Sequence, residues 1–359
     1  MKLSPTGKRR RKRPLGGFCW WIVAAAPLGS AVAGRPLDEA GFSLRFPAAI
    51  SRFASYADVA AEGGAQAASE YSTSGNPASA AWPKPAAAPK FRTSFSPQAS
   101  VVGFGSGNRL YLTAQAMTID AGKWGVFLPA IAQVTSNGEQ QRDGLGFRFD
   151  AQYYQLQWGK LVAPKWAVGA NLNVTTSTVR FQNDAARVAR SRSESYDVRF
   201  GLVNQILPKL RVGVTADYAC GPSRTKSLQF DPATFSVSNV RRTDHSHQGL
   251  LRVGLTWEYA EGCDLYADYQ GGIFSDGSGT LYVHRFPLGI EQAIIKDILF
   301  LRAGITLDTR GNVALSGGVG LSVRENASID LAYQYDNFPE IRAEFGVSQT
   351  FVLSLAVGF

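Results

Sequence analysis

The residues whose types and spacing come nearest to a reactive site lie in the stretch "TDHSH" (243–247). His245 and His247 are two positions apart, so on a β-strand they would share one face and could ligate a metal ion together. At the tip of a polar loop the same residues would be ordinary solvated side chains. The second interpretation is favoured, and the two histidines are only a secondary candidate for a metal site.

Other enzymatic chemistry has no support in the chain. The third histidine, His284, lies in "LYVHRF" and is interpreted as an interior (lumen) residue, not as a general base. The sequence contains no glycine-rich phosphate loop, no CxxC pair and no nucleophile elbow. We therefore predict a protein that is not an enzyme and that needs no cofactor.

The N-terminal residues 1–33 have the features of an export signal. Residues 1–33 hold seven of the 37 basic residues and no acidic residue, and "KRRRKR" is followed by the apolar run "GFCWWIVAAAPLGSAVA". A basic region, a short apolar region and the A-x-A sequence at 31–33 are typical of a secretory signal peptide. The remaining chain carries 30 basic and 28 acidic residues, so its charge does not predict a nucleic-acid partner.

The rest of the chain contains no stretch of 18 consecutive apolar residues, so the sequence predicts no transmembrane helix after the signal peptide. The exported protein is therefore expected to be either soluble or a β-barrel. Cys220 and Cys263 are the cysteines outside the signal peptide, and the sequence leaves a disulfide between them open.

From about residue 108 onward the chain has a period of two, which predicts strands of about 10–16 residues. One face of these strands is apolar, as in the odd positions from Phe345 to Phe359 of "EFGVSQTFVLSLAVGF" (344–359). The other face carries charged residues that a dry core could not hold, and Trp and Tyr recur near strand ends, which favours a transmembrane barrel with a polar lumen. The charged candidates for the lumen face are Arg211, Asp217, Arg252, Glu258, Arg302 and Asp308.

Tight turns alternate with longer polar links, and the pattern predicts about 14 antiparallel strands over residues 89–359. The two longest of these links, 183–194 and 220–246, are predicted to be external loops, the second with a hairpin of its own as an option. Residues 34–88 are rich in Ala, Ser and Pro and do not form a domain alone, so they are expected to pack inside or against the barrel.

Three stretches resemble the FadL-type outer-membrane transport proteins, a superfamily that includes PorV-like barrels associated with secretion. They are "GGAQAASEYSTSGNPASAAW" (63–82), the hairpins within 299–335, and the terminal strand ending at Phe359. The resemblance implies a 14-stranded monomeric barrel closed by an N-terminal plug, or hatch, formed by 34–88. Asn76, Pro77 and Ala78 would be part of this plug.

The resemblance further implies uptake of hydrophobic, fatty-acid-like molecules, which leave the barrel laterally through the wall. Apolar residues at inner positions, such as Val203, Tyr266 and Phe300, favour this function over an open polar porin. A secretion-associated scaffold and, less favoured, a general diffusion porin are the alternatives. The expected partners are outer-membrane lipids, a hydrophobic ligand and, through the strand ending at Phe359, the barrel-assembly machinery of a Gram-negative-type outer membrane.

Overall fold

In the described part of the chain, fourteen antiparallel strands pair in sequence order, and β1 pairs with β14 to close the barrel. The strands are β1 Thr93–Phe104, β2 Arg109–Asp120, β3 Val126–Ser136, β4 Gly146–Ala163, β5 Trp166–Asn183, β6 Ala186–Leu207, β7 Leu210–Asp231, β8 Ser236–Ala260, β9 Cys263–Asp276, β10 Gly279–Ile295, β11 Leu299–Asp308, β12 Val313–Ser322, β13 Ala327–Tyr335 and β14 Ser348–Gly358. The predicted fold class and strand number are confirmed.

The computed structural model describes residues 45–49, 53, 56–69, 75–82, 93–137, 146–183, 186–231, 236–323 and 327–359. For 182–183, 186–188, 227–231 and 236–237 it describes the backbone alone. The predicted signal peptide (1–33) lies outside these residues. The predicted plug segment (34–88) falls partly within them, so the plug as a whole is still a prediction. Its described helical parts are 45–49, the helix Ala57–Ala61 and the 3₁₀ turn Pro77–Ala81.

The two ends of the barrel differ. At the end that we call lower, tight turns such as Pro164–Lys165 and Glu261–Gly262 join the strands, and a 3₁₀ turn, Gly122–Trp124, lies between β2 and β3. At the opposite, upper end, strands β6, β7 and β8 extend to 22, 22 and 25 residues. A further 3₁₀ turn (Pro339–Ile341) and helix (Arg342–Phe345) connect β13 to β14 at this upper end.

The prediction of a long loop at 183–194 is wrong, whereas at 220–246 the optional hairpin is confirmed in place of the long loop. Strand β6 begins at residue 186, β7 continues to 231 and β8 begins at 236. Within these extensions the stretches "RSRSE" (190–194) and "SRTKS" (223–227) are polar at every position, so they show no apolar alternation. Main-chain hydrogen bonding between neighbouring strands, which any residue except proline can supply, holds them together.

The outward face is an apolar band. Large hydrophobic side chains are exposed around the barrel, and aromatic ones mark its margins, with Trp124, Trp166 and Trp257 toward the lower end and Tyr196 and Tyr218 toward the upper end. An apolar outer band flanked by aromatic residues is the surface that a transmembrane barrel presents to lipid. Among the described residues no helix is long and apolar enough to span a membrane.

The terminal strand is confirmed from Gln349 onward, where the odd positions face outward and Phe351 is 57% exposed. The expected apolar face does not extend back to Phe345, which is 1% exposed and ends the helix Arg342–Phe345. Gly346, with φ of 78°, separates this helix from the strand, and the change of backbone direction turns Phe345 inward.

Candidate functional site

The described N-terminal residues contact the inner face of the barrel wall. Residues 57–64 form hydrogen bonds with side chains from five strands, and most of these bonds end on main-chain carbonyl groups. The pairs are Ala57 N to Ser354 Oγ (2.9 Å), Gln334 Nε2 to Ala60 O (3.0 Å), Ser316 Oγ to Ala61 O (2.9 Å), Thr306 Oγ1 to Gly63 O (2.5 Å) and Gln270 Nε2 to Gly64 O (2.8 Å). The wall thereby satisfies polar backbone groups of buried residues such as Ala57, Ala60 and Ala61.

The three residues predicted to belong to a plug, Asn76, Pro77 and Ala78, are buried against strands β4 to β6. Asn76 caps the 3₁₀ turn, because its Oδ1 accepts a hydrogen bond from Ala78 N at 3.0 Å and Pro77 occupies the first position of the turn. Its Nδ2 donates to Ala67 O at 2.6 Å and to Leu202 O on β6 at 3.0 Å. One amide therefore joins two parts of the N-terminal segment to the wall.

Glycines on directly paired positions make room for this segment. Gly159, Gly169 and Gly201 are cross-strand neighbours on β4, β5 and β6. A Cβ atom on Gly159 would lie 2.6 Å from Pro77 O, and one on Gly201 would lie 2.7 Å from Pro77 Cδ. Gly289 and Gly304, paired on β10 and β11, accommodate the main chain at Glu62 and Gly63 in the same way. Only glycine allows the segment to approach the wall this closely.

A buried ionic cluster joins the N-terminal segment to β10, β11 and β13. Arg302 lies 2.5 Å from Glu291 Oε2, 2.6 Å from Asp330 Oδ1 and 3.7 Å from Glu62 Oε1. The pKa of Glu62 lies well above its ordinary value because burial disfavours the charged form and Glu291 adds repulsion. Burial, followed by repulsion from Asp330, raises the pKa of Asp58 to about 6. Glu62 was not predicted as a site residue.

The predicted lumen residues divide into four groups. Asp217 and Arg252 form a buried pair at 2.9 Å, and Arg199 reaches the same carboxylate at 2.9 Å. Arg302 belongs to the separate ionic cluster described above. Arg211 and Glu258 line a cavity at the lower end. Asp308 instead accepts hydrogen bonds from Arg310 N and Asn312 N and so caps the turn after β11.

This lower cavity has a volume of about 800 Å³, and polar and charged side chains form much of its lining. Apolar exceptions include Trp82 and Phe300. The cavity reaches the wall at two places where strand pairing is interrupted. The pairs Ser96–Ala356 and Pro97–Leu355 are missing between β1 and β14, and the pairs Met117–Pro129 and Thr118–Leu128 are missing between β2 and β3. In both interruptions a mid-strand proline lacks the N–H that would complete the ladder.

The upper end of strands β1 to β4 is lined by an apolar cluster rich in phenylalanine. Phe46 and Phe53 of the N-terminal segment contact it, with Phe46 4.9 Å from the ring centre of Phe149 and Phe53 6.2 Å from that of Phe338. We call the following residues the upper apolar cluster: Phe46, Ala49, Phe53, Val102, Phe104, Leu110, Leu112, Val134, Phe147, Phe149, Ala151, Phe338, Ile341 and Phe345. The members of this cluster that lie on strands occupy inner positions of the wall. In a polar channel those positions would carry hydrophilic side chains.

The connection between β13 and β14 is tied inward over this cluster. Glu340 forms a buried ion pair with Arg285 of β10 at 2.6 Å, and Glu344 pairs with Arg45 of the N-terminal segment. Buried pairs of this kind fix the position of a connecting segment because neither charge can be left without its partner. Residues 338–345 are therefore held against the strands, and they contribute Phe338, Ile341 and Phe345 to the upper apolar cluster.

The histidines do not converge on a site. His245 and His247 are exposed on the outward face of β8, where His247 Nδ1 lies 2.9 Å from Tyr218 Oη. His284 lies on the outward face of β10, 2.8 Å from Tyr269 Oη, and not in the lumen. The described residues include no group of three His, Cys, Asp or Glu side chains that could hold a metal. Cys220 and Cys263 are not joined by a disulfide.

Sequence reasoning missed Glu62 and the upper apolar cluster. Glycines that recur inside strand patterns could have indicated the position of Glu62, because such glycines mark the close approach of another backbone. Phe147 and Phe149 did alternate as inner residues, but their contact with Phe46 links positions about 100 residues apart. No local pattern indicates such a contact.

The described residues form a closed 14-stranded barrel whose fold is similar to that of FadL-type solved structures, so the predicted resemblance is confirmed at the level of the fold. Among solved structures the chain is similar to the toluene transporter TodX of Pseudomonas putida, with 12% identity over 85% of this chain and 98% of that one and a TM-score of 0.57. It is also similar to a Pseudomonas aeruginosa FadL homologue, with 11% identity, 85% and 98% coverage and a TM-score of 0.53. No family model and no curated protein matches the sequence.

Proposed function

We propose that this protein is an outer-membrane barrel that admits hydrophobic small molecules, with the upper apolar cluster as the entry site. The observation that carries the proposal is the position of Phe104, Phe147 and Phe149 on inner faces of the wall, where they are at most 8% exposed. Ligand sites for apolar molecules are lined by such side chains. The fold shared with hydrocarbon transporters supports the same class of ligand.

The N-terminal segment divides this route into two compartments. The upper apolar cluster lies on one side, and the polar cavity of about 800 Å³ lies on the other. Residues 57–69 and 75–82, bonded to the wall and seated on its glycines, would stand between them in the role of the predicted plug. A ligand must displace part of this segment or pass around it. The function of a permanently open diffusion porin is therefore less suitable.

The lower cavity offers an exit toward the membrane. Ser96, Leu355 and Ala356 line it at the unpaired stretch between β1 and β14. An apolar molecule gains free energy by entering lipid in place of water. Release through this stretch of the wall would deliver the ligand directly into the hydrocarbon layer.

The direct test is equilibrium binding of a fluorescent oleate-like probe to the purified full chain in detergent. We expect saturable binding that Phe149→Asn weakens at least tenfold, because the substitution puts an amide into the upper apolar cluster. Phe300→Asn is the matched control, since it makes the same change at an inner position of the lower cavity. Absence of probe binding to the native protein would contradict the proposal and favour the secretion-associated scaffold.

A further inference from the structure

A row of five cations crosses the outside of the barrel at its upper end. The strand register pairs Arg148 with Arg180, Arg180 with Arg190, Arg190 with Lys226, and Lys226 with Arg241. Side chains at directly opposite positions have Cβ atoms about 4.5–5.5 Å apart. Because neighbouring strands are about 4.8 Å apart, the row on β4 to β8 is about 19 Å long.

These side chains point away from the lumen. Phe147 and Phe181, which flank the first pair of cations, face inward with their rings 5.7 Å apart, and Ala189 beside Arg190 is buried. Alternation along each strand therefore turns Arg148, Arg180 and Arg190 outward. Lys226 and Arg241 are exposed on the same surface.

A second pair of cations lies two residues nearer the apolar band, where Arg192 of β6 is paired with Arg224 of β7. We call the whole set the basic face: Arg148, Arg180, Arg190, Arg192, Arg224, Lys226 and Arg241. Asp150 lies 3.2 Å from Arg148, and Glu194 lies 3.7 Å from Arg192. Among the described side chains, no carboxylate oxygen comes within 4 Å of the other five cations of this face.

Like charges at directly opposite positions destabilise a sheet. Repeating that arrangement across five strands works against the fold unless an anion lies between the cations. Arginine is the side chain best suited to a phosphate, because its planar guanidinium donates two parallel hydrogen bonds. Six of the seven members of the basic face are arginines.

The position of the face indicates which anion can reach it. Arg148 and Arg190 lie six residues beyond Tyr154 and Tyr196, exposed aromatic side chains on the same outward faces. Six residues extend about 20 Å along a strand, and the tilt of barrel strands makes the height above the apolar band smaller. The basic face therefore stands in the headgroup layer on the lipid side of the wall, where a solute in the lumen does not reach it.

We infer that the basic face binds the phosphate groups of a lipid headgroup in the outer leaflet. Clusters of Lys and Arg beside a membrane-embedded segment recognise anionic lipid headgroups through the same attraction. The inference rests on the outer-membrane location in the proposed function, but it is independent of what passes through the lumen.

The test compares binding of lipopolysaccharide with binding of the same preparation after enzymatic removal of its phosphates, using the purified full chain in detergent micelles. The variant Arg190→Gln, Lys226→Gln, Arg241→Gln removes three cations of the basic face. The control variant Lys123→Gln, Lys160→Gln, Lys165→Gln removes the same charge near the lower end. We expect at least a tenfold loss of affinity in the first variant, less than a twofold change in the control, and weaker binding of the dephosphorylated lipid by the native protein.

Equal affinity of both variants, or equal binding of phosphorylated and dephosphorylated lipid, would overturn the inference. Stronger competition by soluble polyglutamate than by the lipid would also overturn it and would indicate an acidic protein as partner. Heat-modifiable electrophoretic migration establishes that each variant has folded. Binding of the oleate-like probe is measured on the same samples. If the native protein binds lipopolysaccharide as expected but does not bind the probe, only the transport function is contradicted.

Discussion

The side-chain amide of Asn76 donates a hydrogen bond of 3.0 Å to the main-chain carbonyl of Leu202 on β6. The adjacent residue, Gly201, has no side chain, and Asn76 and Pro77 occupy the space that a Cβ atom would need. A polar residue of the N-terminal segment and a missing side chain in the wall thus form one structural unit. This unit makes the seating of the segment sensitive to a single methyl group.

Substitution Gly201→Ala is expected to displace residues 75–82 from the wall. The new Cβ atom would lie 2.7 Å from Pro77 Cδ, closer than real Cβ contacts, and most of the neighbouring atoms belong to a constrained proline. We expect more frequent open states in planar-bilayer conductance recordings, with the barrel itself intact. Gly249→Ala on β8 is the matched control, because no heavy atom lies within 4 Å of its added Cβ. Identical conductance of the two variants would show that the segment does not block the lumen at this point.

How much the sequence predicts depends on the range of the interaction. The period of two and the charged inner residues predict the barrel, its strand number and the inward placement of Asp217, Arg252 and Arg302, because each follows from side-chain alternation along one strand. The ion pairs themselves join residues 11 to 35 positions apart, and the pairing of Glu62 with Arg302 spans 240 residues. Such contacts depend on register and closure, which no single strand encodes.

Removal of Arg302 is expected to destabilise the protein strongly. Arg302→Met leaves the buried Glu291 and the half-buried Asp330 without their cation, and breaking a buried pair such as Arg302–Glu291 costs about 3–5 kcal/mol. Glu62→Gln is expected to have a much smaller effect, because the raised pKa of Glu62 already favours its neutral form. Urea-induced unfolding in detergent micelles measures both variants. A Glu62→Gln protein as unstable as Arg302→Met would mean that Glu62 is charged.

Stability is expected to fall with rising pH because of Asp58. Its pKa is about 6 in the folded protein against an ordinary value of 3.8, so the folded state holds the proton more tightly and the free energy of unfolding decreases between about pH 4 and pH 6. The decrease is at most about 3 kcal/mol. It is smaller than this bound because water partly screens the half-buried carboxyl group. Unfolding free energies at pH 4, 5, 6 and 7 for the native protein and Asp58→Asn isolate the contribution. A parallel pH profile in the variant would contradict it.

Phe345 is expected to be a main contributor to the packing of the upper apolar cluster. It is 1% exposed, and its ring centre lies 4.9 Å from that of Phe147 and 5.3 Å from that of Phe104. Phe345→Ala should lower the free energy of unfolding by about 3–5 kcal/mol. Phe351→Ala, at an outward position that is 57% exposed, is the control and should lose much less. Equal losses would place Phe345 outside the packed interior.

Pro97 is expected to keep the wall between β1 and β14 open to the lower cavity. Substitution Pro97→Ala supplies the missing N–H, and one added hydrogen bond stabilises a protein by about 1 kcal/mol. Closing this stretch should slow the release of a preloaded oleate-like probe into lipid vesicles. Pro222→Ala is the matched control, because it supplies a donor where the pairs Glu194–Pro222 and Ser195–Gly221 are missing between β6 and β7, away from the cavity. If both variants gain stability and only Pro97→Ala slows release, the exit lies at the junction of the first and last strands. Unchanged release in Pro97→Ala despite a gain in stability would instead place the exit elsewhere, with the unpaired stretch between β2 and β3 as the next candidate.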